Sequence, residues 1–239
     1  SLTGFGEKIA ESFKKLHQGN IAHDLELAEK KGIAVIPYTS SLYPRRLLEL
    51  PDKPLLLYVK GDLSCVSQSL AVVGTRFCSI YGKEMAEKIS NDLSRQGVTV
   101  VSGLAHGIDT AAHQGALHQG KTVAVIGSGL GCLYPRENSL LAEKISTQGA
   151  LISEYPINTP PDKGNFPQRN RIVSGISLGT LLIEAPIKSG AMITMEFAKR
   201  QKRKRFAIPG RIDIPTFGGN HHLIKKGEAQ LIENAGDIL

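Results

Sequence analysis

Small residues and arginines recur at the points where the predicted strands of this 239-residue chain end. The segment 166–194 shows the pattern most fully: a compact basic group at 169–171, a buried strand over 180–183, and a Ser-Gly loop at 189–190 that opens a helix. The free N–H groups and the dipole at a helix start favour an anion, and guanidinium groups add bidentate phosphate recognition. Taken alone, the segment fits a phosphate site and a set of surface arginines beside an N-cap serine equally well.

Other predicted strands end in the same way. The strands that end at 73, 101 and 126 are followed by Gly-Thr-Arg, Ser-Gly and Gly-Ser-Gly, residues that let the backbone approach a ligand or that bind one directly. Because ligands of open parallel sheets bind beyond the carboxyl ends of the strands, we expect these residues to line one site for a phosphate-bearing ligand. The candidate contacts at the strand ends and in the basic group are Gly74, Arg76, Ser102, Gly103, Arg169, Asn170, Arg171, Ser189 and Gly190.

The patterns typical of nucleotide cofactors, catalysis and metal binding are missing or incomplete. The loop 127–132 lacks the third small residue of a dinucleotide fingerprint, and the chain has no P-loop sequence. Asp109 and His113 share one face of a predicted helix; they could form an acid–base or metal pair, but a helix-start carboxylate beside a buried histidine is favoured. Glu154 and Glu184 are the carboxylates expected to touch a ligand. The sequence therefore predicts no catalytic residue, no cofactor and no metal.

The net charge of +7 predicts an acidic partner, but the charge is concentrated locally. Six of the seven residues from Lys199 to Arg205 are basic. Such a run is most often a solvated helix end, which the helix dipole favours, and a peripheral phosphate contact is the alternative. Aromatic residues make up only 5% of the chain and tryptophan is absent, so few base-stacking surfaces are expected.

Cysteine usage and hydropathy indicate a compartment. The three cysteines, Cys65, Cys78 and Cys132, form no CxxC pair and are odd in number, which favours a reducing cytoplasm with the thiols as small buried groups. No signal peptide is recognisable, and no apolar run approaches the roughly 18–20 residues of a membrane helix. The chain starts at Ser1, from which we expect a processed or truncated amino terminus.

From residue 70 onward, buried apolar runs alternate with segments of helical periodicity. Such alternation is typical of parallel βαβ units, and it predicts an α/β fold with a doubly wound, mostly parallel sheet over residues 67–239. Residues 1–66 are expected to form a small helical amino-terminal extension, in which Leu2–Ala10 has the spacing of a helix-hairpin-helix turn. Strands are expected at 34–36, 55–59, 70–73, 98–101, 122–126, 150–153, 180–183, 204–208 and 230–232.

A series of short motifs occurs in order along the chain. They are Val-Val-Gly-Thr-Arg (72–76), Ser-Gly-Leu-Ala-x-Gly-Ile-Asp (102–109), Tyr-Pro-x-x-Asn (134–138), Ser-Glu-x-Pro (153–156), Phe-Pro-x-Arg-Asn-Arg (166–171), Glu-Ala (184–185), Ser-Gly (189–190), Pro-Gly (209–210) and Gly-Asn-x-x-Leu-Ile (219–224). In this order they resemble the DNA-processing protein A (DprA/Smf) family across residues 35–239.

The resemblance implies an extended Rossmann-like fold that binds single-stranded DNA without sequence preference. It also implies a homodimer, formed through the carboxyl-terminal part of the domain, that protects incoming DNA and loads the RecA recombinase, as in natural transformation. The family is not known for catalysis or for a nucleotide cofactor. Arg76 and Arg136 match the family's basic pocket residues, although many members have lysine at position 136, and Asn138 belongs to the same motif as Arg136. The Arg-Asn-Arg segment 169–171 and the Ser-Gly loop 189–190 match the family's other contacts.

Two departures from the family pattern affect the expected DNA contacts. Many members have a carboxyl-terminal winged-helix-like domain, whereas this chain ends at Leu239, so a second DNA contact there is expected to be absent. The family's amino-terminal domain is expected to be at best half present. The basic run 199–205 is denser than the family pattern requires.

Two alternatives stay open from the sequence. The segment from Gly179 to Glu184 resembles, more weakly, the phosphate loop of lysine-decarboxylase-like nucleoside-monophosphate phosphoribohydrolases, but Ser177 and Leu178 stand where glycines are expected. Hydrolysis of a nucleoside monophosphate is therefore the alternative function. The apolar tail residues could form the dimer contact or complete the core, and the sequence favours neither; they are Leu223, Ile224, Leu231 and Ile232.

Overall fold

The computed structural model describes residues 20–239 of the chain. The helix-hairpin-helix spacing at Leu2–Ala10 lies outside these described residues. The described part contains nine strands and eight α-helices, which alternate along most of the chain as the sequence predicts.

The nine strands form one sheet in the order β1-β2-β6-β5-β4-β3-β7-β8-β9. All neighbouring strands pair in parallel except two pairs at one edge: β1 with β2, and β2 with β6. The strand bounds are β1 Ala34–Pro37, β2 Leu56–Gly61, β3 Ser69–Val73, β4 Thr99–Ser102, β5 Thr122–Val125, β6 Ala150–Ser153, β7 Gly179–Leu182, β8 Lys204–Ala207 and β9 Gln230–Leu231.

The chain reverses its direction of winding between β3 and β7, which are neighbours in the sheet. It runs outward from β3 through β4 and β5 to β6, then crosses back to β7 and continues through β8 to β9. A crevice opens at such a switch point because the helices on either side of it lie on opposite faces of the sheet. This topology confirms the predicted doubly wound, Rossmann-like fold.

Helices cover both faces of the sheet. The strand β3 shows why: Leu70 and Val72 point into one apolar layer, and Ala71 and Val73 point into the other. The first layer holds α3, α4 and α5, and the second holds α6, α7 and α8. The helix bounds are α1 Asn20–Lys30, α2 Arg45–Leu48, α3 Ile80–Arg95, α4 Ile108–Leu117, α5 Ser139–Gln148, α6 Asn165–Gly175, α7 Gly190–Arg200 and α8 Gly218–Lys225.

The described part of the predicted amino-terminal extension adds to the sheet edge. Strand β2 pairs antiparallel with β6, and β1 pairs antiparallel with β2. Ala28 of the helix α1 and Ile33, which follows it, pack into the same apolar cluster as α5. The domain boundary at residue 66 stays a prediction. Among residues 20–239, no helix is long and apolar enough to cross a membrane.

The carboxyl-terminal tail contributes to the core. Leu223 is only 4% exposed and Ile232 is fully buried, which favours the core interpretation for these two residues. Ile224 is partly buried against the core, whereas Leu231 on the edge strand β9 is 44% exposed. Leu231 and part of Ile224 are therefore accessible at the surface.

A fully buried amide joins the ends of three segments beside the switch point. The Nδ2 group of Asn220 donates to the carbonyl oxygens of Leu182, Ile183 and Ile208 at 2.9–3.2 Å. Its Oδ1 accepts from the Ala185 N–H at 3.1 Å. Because the amide satisfies four backbone groups at once, it fixes the loops that follow β7 and β8 relative to each other.

We predict that Asn220→Asp destabilises the protein strongly at neutral pH. The substitution replaces the donating NH₂ group with an oxygen that faces three carbonyl oxygens, and it buries an unpaired charge, which costs about 3–5 kcal/mol. Urea unfolding at pH 7 measures the loss. Burial raises the pKa of a carboxyl group, so the new carboxyl would be protonated in the folded state as the pH falls, and part of the deficit should disappear in acid.

Asn158→Asp is the matched control, because Asn158 is exposed and the substitution makes the same change in charge. We expect it to alter the free energy of unfolding by less than about 0.5 kcal/mol. Equal stability of the two variants would contradict the role assigned to Asn220.

Candidate nucleic-acid interface

A cleft of about 540 Å³ lies at the carboxyl ends of the strands, beside the switch point. Its walls come from the turn after β3, the loop after β4, the amino-terminal half of α6 and the start of α7. The helices α3 and α6 lie on opposite faces of the sheet, so the cleft lies between the two helical layers. Its lining includes Gly74, Thr75, Arg76, Phe77, Gly103, Ala105, Asp109, Tyr134, Lys163, Phe166, Arg169, Asn170, Ser189 and Gly190.

The turn after β3 is held in place by its backbone. The Thr75 N–H donates to the Glu184 carbonyl at 2.7 Å, and the Thr75 carbonyl accepts from the Ile108 N–H at 3.2 Å. A Cβ on Gly74 would lie 2.7 Å from the Cβ of Ile108, so glycine here admits the first residue of α4. Gly74 thus serves helix–strand packing, and the turn that it begins holds Arg76 at the cleft.

Arg76 presents an unpaired guanidinium to the cleft. Its side chain is exposed, and its Cζ lies 5.6 Å from the ring centroid of Phe166, a cation–π geometry. Among the residues that the structure describes, the Arg76 guanidinium has no ion pair and no hydrogen bond. Lys163, on the same wall, is likewise exposed and unpaired within residues 20–239. These two cations are available to an anionic ligand.

Arg169 lies beneath this surface and is only 4% exposed. Its Nη1 donates to the carbonyl of Gly103 at 2.8 Å and to the carbonyl of Val125, and its Nε donates to Oδ1 of Asn170 at 3.2 Å. Burial lowers the pKa of Arg169 to about 10, with the charge of Asp109 opposing the shift. The group therefore remains charged at neutral pH, but its hydrogen bonds hold the walls together.

Asp109 and His113 have the structural roles that the sequence favours. The Asp109 carboxylate accepts the N–H groups of Gly103 and Ala105 at 3.1 and 3.3 Å, and burial raises its pKa against the opposing charge of Arg169. His113 is fully buried, with Nδ1 2.7 Å from the Thr122 hydroxyl. Burial lowers the pKa of His113 to about 3, so the imidazole is neutral at physiological pH.

The start of α7 forms one end of the cleft. The Ser189 side chain caps the helix by accepting the Met192 N–H at 3.4 Å, which leaves the Gly190 N–H among the free donors of the first turn. No atom lies within 4 Å of the position that a Cβ on Gly190 would take, so the space before the helix is open. Asn170 donates from Nδ2 to the Gly190 carbonyl at 3.2 Å and ties α6 to this end.

Arg171 lies on the other side of α6, which differs from the compact basic group expected from the sequence. The segment is helical, and two residues along a helix correspond to a rotation of about 200°. Arg171 forms a bidentate pair with Glu154 at 2.9 and 2.7 Å and a second pair with Asp52 at 3.3 Å. Both carboxylates neutralise it outside the cleft, so Glu154 has a structural partner rather than a ligand.

Three other expected contacts do not reach the cleft wall. The Ser102 hydroxyl is buried and donates to the Val72 carbonyl at 2.7 Å, which links β4 to β3. Asn138 is buried, and its Nδ2 donates to the Leu104 carbonyl at 2.9 Å. Arg136 is exposed on a short 3₁₀ turn just past the rim of the cleft. Ser102 and Asn138 support the cleft from beneath, and Arg136 could meet a ligand that extends over the rim.

Glu184, the other carboxylate expected near the ligand, serves as a cap. It is fully buried and accepts hydrogen bonds from the Ser79 N–H and hydroxyl and from the Thr216 hydroxyl. Ser79 is the N-cap of α3, so the carboxylate lies where the helix dipole favours it. Among residues 20–239, no group of three or more histidine, cysteine, aspartate or glutamate side chains could hold a metal ion.

The basic run 199–205 lies near the amino-terminal ends of the strands, on the side of the sheet opposite to the cleft. It spans the end of α7 and the start of β8, whereas the cleft lies at the carboxyl ends of the strands. Several of its cations are paired: Lys199 with Glu228 at 3.0 Å, and Arg203 with Glu49 at 3.0 Å. Lys199 and Arg200 lie on a solvated helix end, as the sequence favours, whereas the side chains of Arg203 and Arg205 are only 13% exposed and have structural partners.

The aromatic side chains in the cleft were not expected from the sequence. Phe166 packs against Tyr134, with ring centroids 5.7 Å apart, and a Cβ on Gly127 would lie 2.8 Å from the Phe166 ring. The loop after β5, weak as a nucleotide motif, thus makes room for the ring beneath Arg76. The low aromatic content concealed this cluster because only folding brings its members together; Phe77 and Lys163 were missed for the same reason.

Comparison with known proteins gives the family. The model of the DNA recombination-mediator protein A family matches residues 34–239. The chain is 42% identical to Protein Smf of Escherichia coli over 99% of this chain and 64% of that protein. It is 44% identical to the DNA processing protein DprA of Streptococcus pneumoniae over 82% of this chain and 70% of that protein. The chain thus spans somewhat less than two thirds of the length of the Escherichia coli protein.

Solved structures agree with the sequence relatives. The X-ray structure of Streptococcus pneumoniae DprA superposes with a TM-score of 0.84 at 41% identity, covering 90% of this chain and 76% of that one. DNA processing protein A of Helicobacter pylori, described for its single-stranded DNA binding mode, gives 0.79 at 29% identity over 86% and 93%. A molybdenum cofactor binding protein of Rippkaea orientalis, at 0.51 and 11% identity over 71% and 91%, shares the fold alone. The chain belongs to the DNA recombination-mediator protein A (DprA/Smf) family.

Proposed function

We propose that this protein binds single-stranded DNA through the cleft at the switch point, without sequence preference. The observation that carries the proposal is the Arg76 guanidinium, which has no partner among residues 20–239 and is presented beside the open start of α7. A phosphate can accept from the guanidinium and from the N–H of Gly190, and Lys163 adds a third positive contact. The Helicobacter pylori relative, whose description names single-stranded DNA binding, supports the same ligand here.

The proposed contacts account for tolerance of sequence. Phosphate contacts fix the position of a strand but carry no base information. The aromatic faces of Tyr134 and Phe166 lie beside the cationic groups, and unpaired bases of any kind can stack on such faces. A duplex keeps its bases stacked inside, so the combination favours a single strand.

We propose that binding occurs without turnover. The strand-end carboxylates Glu154 and Glu184 are occupied by an arginine and by two hydroxyl groups, and His113 is neutral and buried. Glu184 corresponds to the glutamate of the phosphoribohydrolase loop that the segment 179–184 resembles. Yet Glu184 is not among the residues that line the cleft. Release of adenine from AMP would contradict this proposal and favour the enzymatic alternative.

We propose further that the bound strand is passed to RecA, as the family resemblance implies. If the protein hands its strand to RecA, it should shorten the lag of RecA-dependent ATP hydrolysis on DNA covered by a single-strand binding protein. Arg76→Ala should restore the lag, because the handover requires a held strand. An unchanged lag with the wild-type chain would count against the mediator role.

A homodimer through the carboxyl-terminal part of the domain is a further proposal. Leu231 is the one of the four tail residues with a largely accessible side chain, and it lies on the edge strand β9. Light scattering should give about twice the chain mass of 25.8 kDa for the wild type and a lower mass for Leu231→Glu. Because Leu231 is exposed, the variant should stay folded. A monomeric wild type would remove the dimer proposal.

We predict that Arg76→Ala weakens oligo-dT binding by about tenfold or more, on the order of 1.4 kcal/mol. Charge-assisted hydrogen bonds contribute roughly 1.5–3 kcal/mol, and Arg76 has no competing partner within the described chain. Fluorescence anisotropy at several salt concentrations measures the loss. The slope of log affinity against log salt should also fall by about 0.7, the share of one phosphate contact on a single strand.

Arg200→Ala is the matched control. Arg200 belongs to the basic run, is 70% exposed and already pairs with Glu196 at 3.1 Å. Its loss should change affinity only slightly, because an exposed charge among neighbours is screened. Equal losses in the two variants would place the DNA on the basic run instead of the cleft.

A further inference from the structure

Exposed aromatic side chains are concentrated beside the cleft. Four aromatic side chains are exposed in the part of the chain that the structure describes: Tyr38, Phe77, Tyr81 and Tyr134. Phe77 and Tyr134 line the cleft, and Tyr81 lies on the first turn of α3 next to Phe77. Phe77 is 87% exposed, more than any of the others. A phenyl ring so open to water marks a contact surface when it lies beside other apolar groups.

The backbone under Phe77 is fixed on both sides. The Phe77 N–H donates to the Thr75 hydroxyl at 3.2 Å, and Thr75 itself is tied to the loop after β7 and to the start of α4. Two residues later, Ser79 caps α3 and donates to Glu184. The ring therefore projects from a turn whose backbone is already fixed. A ligand that covers the ring loses little free energy to ordering this part of the chain.

The aromatic residues occupy both sides of Arg76. Phe166 belongs to α6 in one helical layer, and Phe77 lies three residues before the start of α3 in the other layer. Arg76 lies over the Phe166 ring and is the chain neighbour of Phe77. A nucleic-acid strand has the same alternation, because each phosphate lies between two bases.

We propose that Phe77 is a base-stacking residue: one unpaired nucleobase rests on its ring while Arg76 holds the adjoining phosphate. The proposal rests on the proposed function and adds a contact to the base itself, which phosphate binding does not require. It assigns to the opposite wall, formed by Tyr134 and Phe166, the next base along the strand.

The apolar surface continues from Phe77 along the carboxyl ends of the β-strands. The Tyr81 hydroxyl donates to the Pro209 carbonyl at 3.3 Å, which joins α3 to the loop after β8. Ile212 on that loop is 95% exposed. The bound nucleic-acid strand would therefore run from the end of β5 towards the end of β8. This path crosses four spacings between β-strands, or roughly 19 Å.

An exposed ring could also mark a contact with another protein. The charge around Phe77 favours the nucleobase: its chain neighbour is a cation without a partner among the described residues, and the open start of α7 lies across the cleft. A protein contact at this position would bury that cation without compensation, whereas a nucleotide supplies both the stacking face and the anion.

The test compares two oligomers of equal length, oligo-dT and a strand with abasic sites at every internal position, by fluorescence anisotropy. The wild type should prefer oligo-dT, since the two strands carry the same phosphates. Phe77→Ala should weaken oligo-dT binding at least about fivefold and leave the abasic strand unaffected. The salt slope should not change, because no phosphate contact is lost. Phe77→Tyr, which keeps a flat ring, should bind like the wild type.

Tyr38→Ala is the matched control, since Tyr38 is an exposed aromatic residue after β1, five strands away from β3 in the sheet. It should alter neither affinity, and all variants should keep the wild-type melting temperature because the substituted rings are exposed. Equal binding of both oligomers by the wild type would overturn the stacking proposal and leave phosphate binding intact. Binding of neither oligomer would overturn both. A change in molecular mass by light scattering with unchanged oligo-dT affinity would identify Phe77 as a protein contact instead.

Discussion

A guanidinium with almost no access to solvent closes the floor of the cleft. Arg169 donates to the carbonyl of Gly103, which follows β4, and to the carbonyl of Val125, the last residue of β5. It therefore joins both of these segments to the helix α6. Taking such a charge out of water is costly unless its hydrogen bonds are satisfied, and here carbonyl oxygens and the amide of Asn170 satisfy them. The negative charge of Asp109 compensates the positive charge of Arg169. The same carboxylate accepts two backbone N–H groups of the loop after β4.

This buried network determines which cations remain for a ligand. Arg169 is committed to backbone carbonyls, and Arg171, on the far side of the same helix, is committed to Glu154 and Asp52. The guanidinium of Arg76 is left without such a partner in the described chain, and it lies over the Phe166 ring. The positive charge that the cleft presents thus depends less on the number of arginines nearby than on which of them the fold has already paired.

The fold was predictable from the sequence to a large extent, because strands buried on both faces are continuous apolar runs. All nine predicted strand starts lie within one residue of the observed ones, including β6 at Ala150–Ser153 and the edge strand β9. The helix α6 was not expected: its Phe-Pro-Gln-Arg-Asn-Arg start has no apolar periodicity, since its buried face carries Arg169. Without that helix, the segment 169–171 looked like one compact basic group, and its two arginines could not be separated.

The candidate site was predictable in position but not in the roles of its residues. Strand-end glycines indicated a place where backbone approaches something, and the nearest partner proved to be the protein itself: Ile108 for Gly74, and the Phe166 ring for Gly127. Both close contacts nevertheless build the site, because the first holds the turn that carries Arg76 and the second places an aromatic face beneath it. A sequence pattern records that space is needed, whereas only the packed structure shows what occupies the space. For that reason the same small residues that suggest a phosphate loop here serve to position one free arginine and the rings around it.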